Sequence, residues 1–131
     1  MDIKLSYIER GSGFPFIFLH GNGEEHGYFE HQINYFSDFY HVFAVDTRGH
    51  GKSPRGEMPF TIAQFADDLY RFICMHKIEK AHILGFSDGG NIAIKFALKY
   101  PEFVEKLILN GANLDPSGVK KIRTTSYRNR I

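Results

Sequence analysis

Short apolar runs recur along the chain and predict buried strands. The runs contain almost no polar residue, a pattern typical of strands that are covered on both faces. They occupy residues 16–19, 42–45, 82–84 and 107–109. An earlier segment, IKLSYIE at residues 3–9, alternates between apolar and polar positions and predicts a less buried strand.

Helical spacing of apolar residues fills the gaps between these runs. It predicts helices over residues 24–38 and 61–77, and a third helix from the glycines near residue 89 to Tyr100. Thr61 and Gln64 have the spacing of a capping box, and Pro101 ends the third helix. The alternation of strands and helices predicts an α/β fold, with a mostly parallel sheet and helices on both faces.

Ligands of such sheets bind beyond the carboxyl ends of the strands. Three loops with possible chemistry follow predicted strands, at residues 20–27, 46–54 and 85–90. We therefore expect these loops to lie together at one edge of the sheet and to form the functional site.

The last of these loops contains Gly85-Phe86-Ser87-Asp88-Gly89, between a predicted strand and a predicted helix. A G-x-S-x-G pattern in that context predicts a nucleophile elbow, a strained turn from which the serine Oγ points away from the sheet. Side chains at both flanking positions would collide with the neighbouring strand and helix, so glycine is expected there. The alternative is a glycine-rich turn in which Ser87 only caps the helix.

The first loop, His20-Gly21-Asn22-Gly23, follows a buried strand and can supply a second backbone N–H to an oxyanion hole. We expect Asn22 to be that donor and the His20 side chain to hold the loop by hydrogen bonds. A competing hypothesis combines the glycines of this loop with Asp46, at the end of the next strand, into a dinucleotide-binding site. That motif is weak, because a histidine stands where its third glycine belongs.

The middle loop contains Gly51-Lys52-Ser53, which is similar to the end of a phosphate-binding P-loop. Asp46 stands where a P-loop needs glycine, and Pro54 disfavours the start of a helix at Ser53. Phosphate binding is therefore rejected for this loop. We expect it to brace the face of the sheet that carries Ser87.

Composition sets limits on location and partners. The 131 residues are 43% hydrophobic and 24% charged, which is the range of a globular domain with a real core. No apolar run approaches the roughly 20 residues that cross a bilayer, and no signal peptide is visible. The single cysteine, Cys74, excludes an internal disulfide and is expected to be buried. These features predict a cytoplasmic protein without a membrane partner.

The end of the chain differs from the rest in charge. Residues 119–131 contain five basic residues and no acidic one, whereas the whole chain has a formal net charge of +1. A basic tail can bind nucleic acid. Because this tail contains no nucleic-acid-binding motif, we expect a solvated end and no nucleic-acid partner.

Taken together, the three loops resemble those of the α/β-hydrolase superfamily. The resemblance rests on HGNG at residues 20–23, DTRGHGKS, GFSDGG and KLILNGAN, in the order and spacing of the family, and covers residues 3 to about 115. It implies a partial α/β-hydrolase fold of about five strands. It also implies hydrolysis of an ester, thioester or related acyl bond through an acyl-enzyme, without a cofactor or a metal.

The same resemblance assigns roles to individual residues. It implies that Ser87 is the catalytic nucleophile and that the backbone N–H groups of Asn22 and Asp88 form the oxyanion hole. The supporting loop residues that it implies are His20, Gly21, Gly85 and Gly89. Serine at position 87 argues against dehalogenase chemistry, for which relatives use aspartate. Perhydrolase, C–C hydrolase and lyase activities stay open.

One departure from the family pattern concerns the general base. The family triad runs serine, acid, histidine along the chain, whereas all seven histidines here precede Ser87. Ser87 therefore has no base at the expected place. We interpret the chain as a truncated hydrolase, with residues 1–115 as the core domain and residues 116–131 as a basic tail that is flexible or not native.

Two functions follow from this interpretation. The chain is a serine hydrolase that is weak or inactive in this form, with a small-molecule acyl substrate as its partner, or it is a non-catalytic product that only binds or associates. The predicted strand at residues 107–109 has no predicted strand after it. Because a free strand edge invites pairing with another chain, we expect a homo-oligomer formed through that edge.

Overall fold

The computed structural model describes residues 2–21, 23–110 and 126–128. It contains two 3₁₀ turns, His26–Phe29 and Pro101–Phe103. The strands are β1 (Tyr7–Arg10), β2 (Pro15–Leu19), β3 (His41–Val45), β4 (Ala81–Phe86), β5 (Val104–Asn110) and β6 (Ser126–Arg128). The helices are α1 (Glu30–Phe36), α2 (Ile62–Met75) and α3 (Asp88–Lys99).

The six strands form one sheet in the order β1-β3-β2-β4-β5-β6. β1 pairs antiparallel with β3, and every other neighbouring pair is parallel. The central strand β2 pairs on one side with β3 and on the other side with β4. The predicted fold class, a mostly parallel sheet with helices on both faces, is therefore confirmed.

The continuous apolar runs are explained by two cores, one on each face of the sheet. Along β2, Ile17 and Leu19 pack in the core that contains α2 and α3, whereas Phe16 and Phe18 pack in the core that contains α1. All four side chains are at most 2% exposed. A strand buried on both faces needs apolar residues at successive positions, so it shows no alternation.

Helix α2 begins as predicted, but its cap differs in detail. Thr61 Oγ1 accepts a hydrogen bond from the Gln64 N–H at 3.1 Å. The Gln64 side chain does not complete the capping box, because its Nε2 donates to Asp68 Oδ1 at 2.9 Å. Cys74, expected to be buried, is exposed near the end of this helix. The buried face of the helix includes Phe72 and Ile73, and Cys74 lies beside that face.

The structure corrects the expected free edge at residues 107–109. Leu107 lies opposite Ser126 and Leu109 lies opposite Arg128 in a parallel ladder between β5 and β6. The backbone of Ser126–Arg128 thus pairs with the strand edge that we expected another chain to cover. The expected homo-oligomer stays a prediction. Residues 116–125 and 129–131 of the predicted tail lie outside the described residues.

The helices give no indication of a membrane span. In residues 2–21 and 23–110, no helix combines the length and the apolar character that crossing a bilayer requires. The cytoplasmic location stays a prediction.

Candidate active site

Ser87 forms the whole connection between β4 and α3. Its φ is 54° and its ψ is −118°, a backbone conformation that residues other than glycine rarely adopt. The Ser87 N–H donates to the Asn110 carbonyl at 2.9 Å, and the Ser87 carbonyl accepts from the Gly90 N–H at 2.8 Å. Such strain persists only where the surroundings fix it, and it concentrates at functional sites. The predicted strained strand-to-helix turn at Ser87 is confirmed.

The alternative role of Ser87 as a helix cap finds no support in this geometry. Ser87 occupies the N-cap position of α3, yet its side chain makes no capping hydrogen bond. An N-cap serine normally accepts from an N–H of the first turn. The Ser87 hydroxyl is therefore not used to cap α3.

The two glycines that flank Ser87 are required by close approach of other backbone. A Cβ at Gly85 would lie 2.5 Å from the Gly90 Cα, inside the first turn of α3. A Cβ at Gly89 would meet the Leu19 carbonyl oxygen and lie 2.6 Å from the His20 carbonyl oxygen. The absence of a Cβ at Gly89 thus allows the end of β2 and the start of α3 to approach each other closely beside Ser87.

The loop after β2 packs against Ser87 through Gly21. A Cβ at Gly21 would lie 3.3 Å from the Ser87 Cβ, so the Gly21 backbone directly borders the serine. Glu24 holds this backbone twice. Its N–H donates to the Gly21 carbonyl at 3.1 Å, and its Oε1 accepts from the Gly21 N–H at 3.1 Å. Glu24 was missed in the sequence, where no recognised motif marks it.

The His20 side chain connects the loop after β2 to the loop after β3, as predicted for a structural histidine. Its Nδ1 donates to the Gly21 carbonyl at 2.7 Å, and its Nε2 accepts from the Thr47 N–H at 3.0 Å. The side chain is buried, and this burial lowers its pKa, with partial opposition from the hydrogen bond to Gly21. A neutral ring with the proton on Nδ1 satisfies both contacts.

Asp46 organises the middle loop and is not available to a ribose. Its Oδ1 accepts from the backbone N–H and from the ring Nδ1 of His26, both at 2.7 Å, and its Oδ2 accepts from the Lys52 N–H at 3.1 Å. The residue is 0% exposed. A ribose-binding acid must present its oxygens to the ligand. We therefore abandon the dinucleotide-binding hypothesis, and the contacts agree with a loop that braces its neighbours.

The same region contains a group of possible metal ligands. Ligand atoms of Glu25, His26 and Asp46 lie within 4.8 Å of one another, the only such group in the part of the chain that the structure describes. Glu25 Oε1 already accepts from the Gly27 N–H at 2.6 Å, and Asp46 Oδ1 accepts from His26. Hydrogen bonds within the loop account for this grouping.

The oxyanion-hole prediction can be followed for one of its two donors. Asp88 is the first residue of α3, where an N–H has no partner within the helix, and it directly follows Ser87. The positive end of the helix dipole adds to its attraction for an anion. Asn22, the second predicted donor, lies outside the described residues, between Gly21 beside Ser87 and Gly23.

The contacts described for the histidines do not assign a general base to Ser87. In residues 2–21 and 23–110, none of these contacts joins a histidine ring to the Ser87 hydroxyl. His20 uses both ring nitrogens to hold loops, and His50 Nδ1 contacts Thr47 Oγ1 at 3.2 Å while its ring stacks on Phe60. The described residues thus bring together a strained serine, helix N–H groups and an acidic loop, but not a triad.

Comparisons with known proteins agree with this fold. The family described as alpha/beta hydrolase fold matches residues 15–125. The chain is 38% identical over 112 residues to the AB hydrolase superfamily protein YisY of Bacillus subtilis, and the match covers 84% of this chain and 42% of YisY. The chain therefore spans less than half of the length of YisY.

Solved structures show the same relationship. A marine microorganism esterase has a TM-score of 0.79 at 33% identity, over 82% of this chain and 41% of the esterase. A meta-cleavage product hydrolase from Pseudomonas fluorescens IP01 has a TM-score of 0.81 at 34% identity, over 84% of this chain and 42% of that enzyme. With the family match spanning most of its length, the chain belongs to the alpha/beta hydrolase fold family.

Proposed function

We propose that the chain carries the nucleophile half of a serine hydrolase that cleaves an ester, thioester or related acyl bond through an acyl-enzyme on Ser87. The observation that carries this proposal is the strained backbone of Ser87, at φ 54°, between a parallel strand and the N-terminus of α3. The similarity to an esterase and to a meta-cleavage product hydrolase supports it.

The proposed chemistry assigns one step to each group. Ser87 Oγ bonds to the acyl carbon, the bond to the leaving group breaks, and the serine proton passes to the leaving group through a base. The carbonyl oxygen becomes negative in the transition state and accepts hydrogen bonds from the Asp88 N–H and, we propose, the Asn22 N–H. Water then releases the acid and restores Ser87.

Acylation of Ser87 tests the proposed function directly. We expect an excess of p-nitrophenyl acetate to add one acetyl group to the chain and peptide mapping to place it on Ser87. Ser87→Ala should abolish this modification. Ser37→Ala should leave it unchanged, because Ser37 lies between α1 and the start of β3, whereas Ser87 follows the end of the parallel strand β4. Acetylation at other positions with Ser87 unmodified would contradict the proposal.

Steady-state turnover by this chain is expected to be weak. Because the described contacts assign no base to Ser87, we expect only oxyanion stabilisation and binding to contribute, which are worth about 10³–10⁴-fold over water in serine hydrolases that lack triad members. Initial rates of p-nitrophenyl acetate hydrolysis for the chain and for Ser87→Ala measure this residual. Efficient turnover that Ser87→Ala abolishes would show that a base was missed, with His20 and His50 as the first residues to replace.

The non-catalytic alternative makes a different prediction in the same assays. A chain that only binds or associates would show no Ser87 acylation and no difference in rate from Ser87→Ala. The strained turn would then be an inherited feature of the fold without a chemical role.

A further inference from the structure

Glu24 places a carboxylate beside the predicted nucleophile. The position of a Cβ on Gly21 lies 2.8 Å from Glu24 Oε1 and 3.3 Å from the Ser87 Cβ, so both groups border the same point. Glu24 is half-buried, and a charge in that setting is screened less than one in open solvent. A substrate bound at Ser87 would therefore lie within the field of this carboxylate.

No cation pairs with Glu24 among the residues whose side chains the structure describes. None of the ion pairs there includes Glu24, and the one hydrogen bond that its carboxylate accepts comes from the Gly21 N–H. The negative charge of Glu24 reaches the neighbouring loop, since it acts to raise the pKa of His20 against the larger effect of burial. Glu24 therefore contributes negative charge to the surroundings of Ser87.

Asp88 adds a second carboxylate, but a partly compensated one. It directly follows Ser87, is half-buried, and accepts from the Asn91 amide at 3.3 Å. Asp88 also lies at the N-terminus of α3, where the helix dipole offsets negative charge. Glu24 lies outside any helix and lacks this compensation. It is therefore expected to dominate the charge preference.

We infer that Glu24 is a specificity-determining residue of the Ser87 site, and that its carboxylate makes the site favour acyl compounds with a cationic group over those with an anionic group. This inference rests on the proposed function, because it assumes that acyl compounds bind beside Ser87. Like charges near the serine raise the free energy of a bound carboxylate, whereas an ammonium group is attracted.

Three boronic acids of similar size test the inference. Boronic acids resemble acyl compounds and can add to a serine hydroxyl as tetrahedral anions. The probes are 3-aminomethyl-, 3-hydroxymethyl- and 3-carboxyphenylboronic acid, which are cationic, neutral and anionic in the side group. We expect NMR titrations to give a dissociation constant about tenfold lower for the cationic than for the anionic probe, with the neutral probe between them.

Matched variants separate local charge from global charge. Glu24→Gln keeps an oxygen that can accept from the Gly21 N–H, so the loop clamp is retained while the charge is lost. It should reduce the tenfold ratio to about threefold or less. Glu79→Gln makes the same change in net charge at the opposite end of β4 and should leave the ratio unchanged. Asp88→Asn should have a smaller effect than Glu24→Gln.

Several results would overturn the inference. These are equal affinities for the three probes, tighter binding of the anionic probe, an unchanged ratio in Glu24→Gln, an equal loss in Glu79→Gln, or no binding of any probe. Failure of the proposed function appears elsewhere, as an absence of Ser87 acylation by p-nitrophenyl acetate. A charge preference that the parent chain shows and Glu24→Gln loses would support charge selection even if that acylation fails.

Discussion

Replacement of Asp68 with alanine is expected to reduce the free energy of unfolding by about 3–5 kcal/mol, the usual cost of removing one partner from a buried ion pair. Asp68 is 1% exposed and accepts from Arg48 through two hydrogen bonds, Nε to Oδ2 at 2.9 Å and Nη2 to Oδ1 at 2.8 Å. Arg48 is itself 0% exposed. Without Asp68, a buried guanidinium loses both bonds on that side.

The neighbouring acid on α2 provides the control. Asp67 pairs with Lys99 at 2.9 Å, but their side chains are 36% and 55% exposed. Pairs that solvent screens in this way contribute about 0–1 kcal/mol. Urea unfolding of Asp67→Ala and Asp68→Ala, compared with the parent chain, measures the difference. Equal losses for the two variants would contradict the assignment of Arg48 and Asp68 as a buried stabilising pair.

The Arg48 contacts also connect the fold to the site. Arg48 follows Thr47, whose N–H donates to His20, and it contacts Asp2 near the start of the chain as well as Asp68 on α2. The middle loop is therefore fixed to the helix layer on one side and to the loop beside Ser87 on the other. The contacts of Asp46, Thr47 and Arg48 agree with the expected bracing role of this loop.

The sequence predicted the parts of the fold that depend on local pattern. The apolar runs at residues 16–19 and 42–45 became strands because burial on both faces demands apolar residues at every position. The Ser87 turn was predictable because glycine at positions 85 and 89 indicates that other backbone lies close to these residues. In the structure, Gly85 lies close to Gly90, and Gly89 lies close to the His20 carbonyl.

Long-range pairing could not be predicted in the same way. Arg48 and Asp68 are 20 residues apart, and a single sequence does not show which acid meets which base. His26 and Asp46 form a comparable pair across two loops. The strand at Ser126–Arg128 has three residues, too few for a period of apolar positions to show. Glu24 was overlooked because its role depends on the position of Ser87 in space.

Gly89→Ala is expected to destabilise the chain by about 3 kcal/mol, against the gain of up to about 1 kcal/mol that alanine usually brings to a helix. Gly89 lies in the first turn of α3, where its Cβ would meet the Leu19 carbonyl oxygen and lie 2.6 Å from the His20 carbonyl oxygen. These atoms belong to the end of β2, which packs in the centre of the sheet and cannot move aside without disturbing both cores. The same displacement should lower the rate of Ser87 acylation about hundredfold, because small errors in the position of a nucleophile are costly.

Gly27→Ala is the matched control for this substitution. A Cβ at Gly27 would meet Glu25 Oε1, the end of a flexible side chain that can rotate away, so we expect a change in stability below about 1 kcal/mol. Urea unfolding and the acylation rate with p-nitrophenyl acetate should be measured on both variants. A stabilised Gly89→Ala chain would mean that helix propensity dominates at this position. We attribute the strained Ser87 turn to the packing of β2 against the start of α3. That explanation would then have to be abandoned.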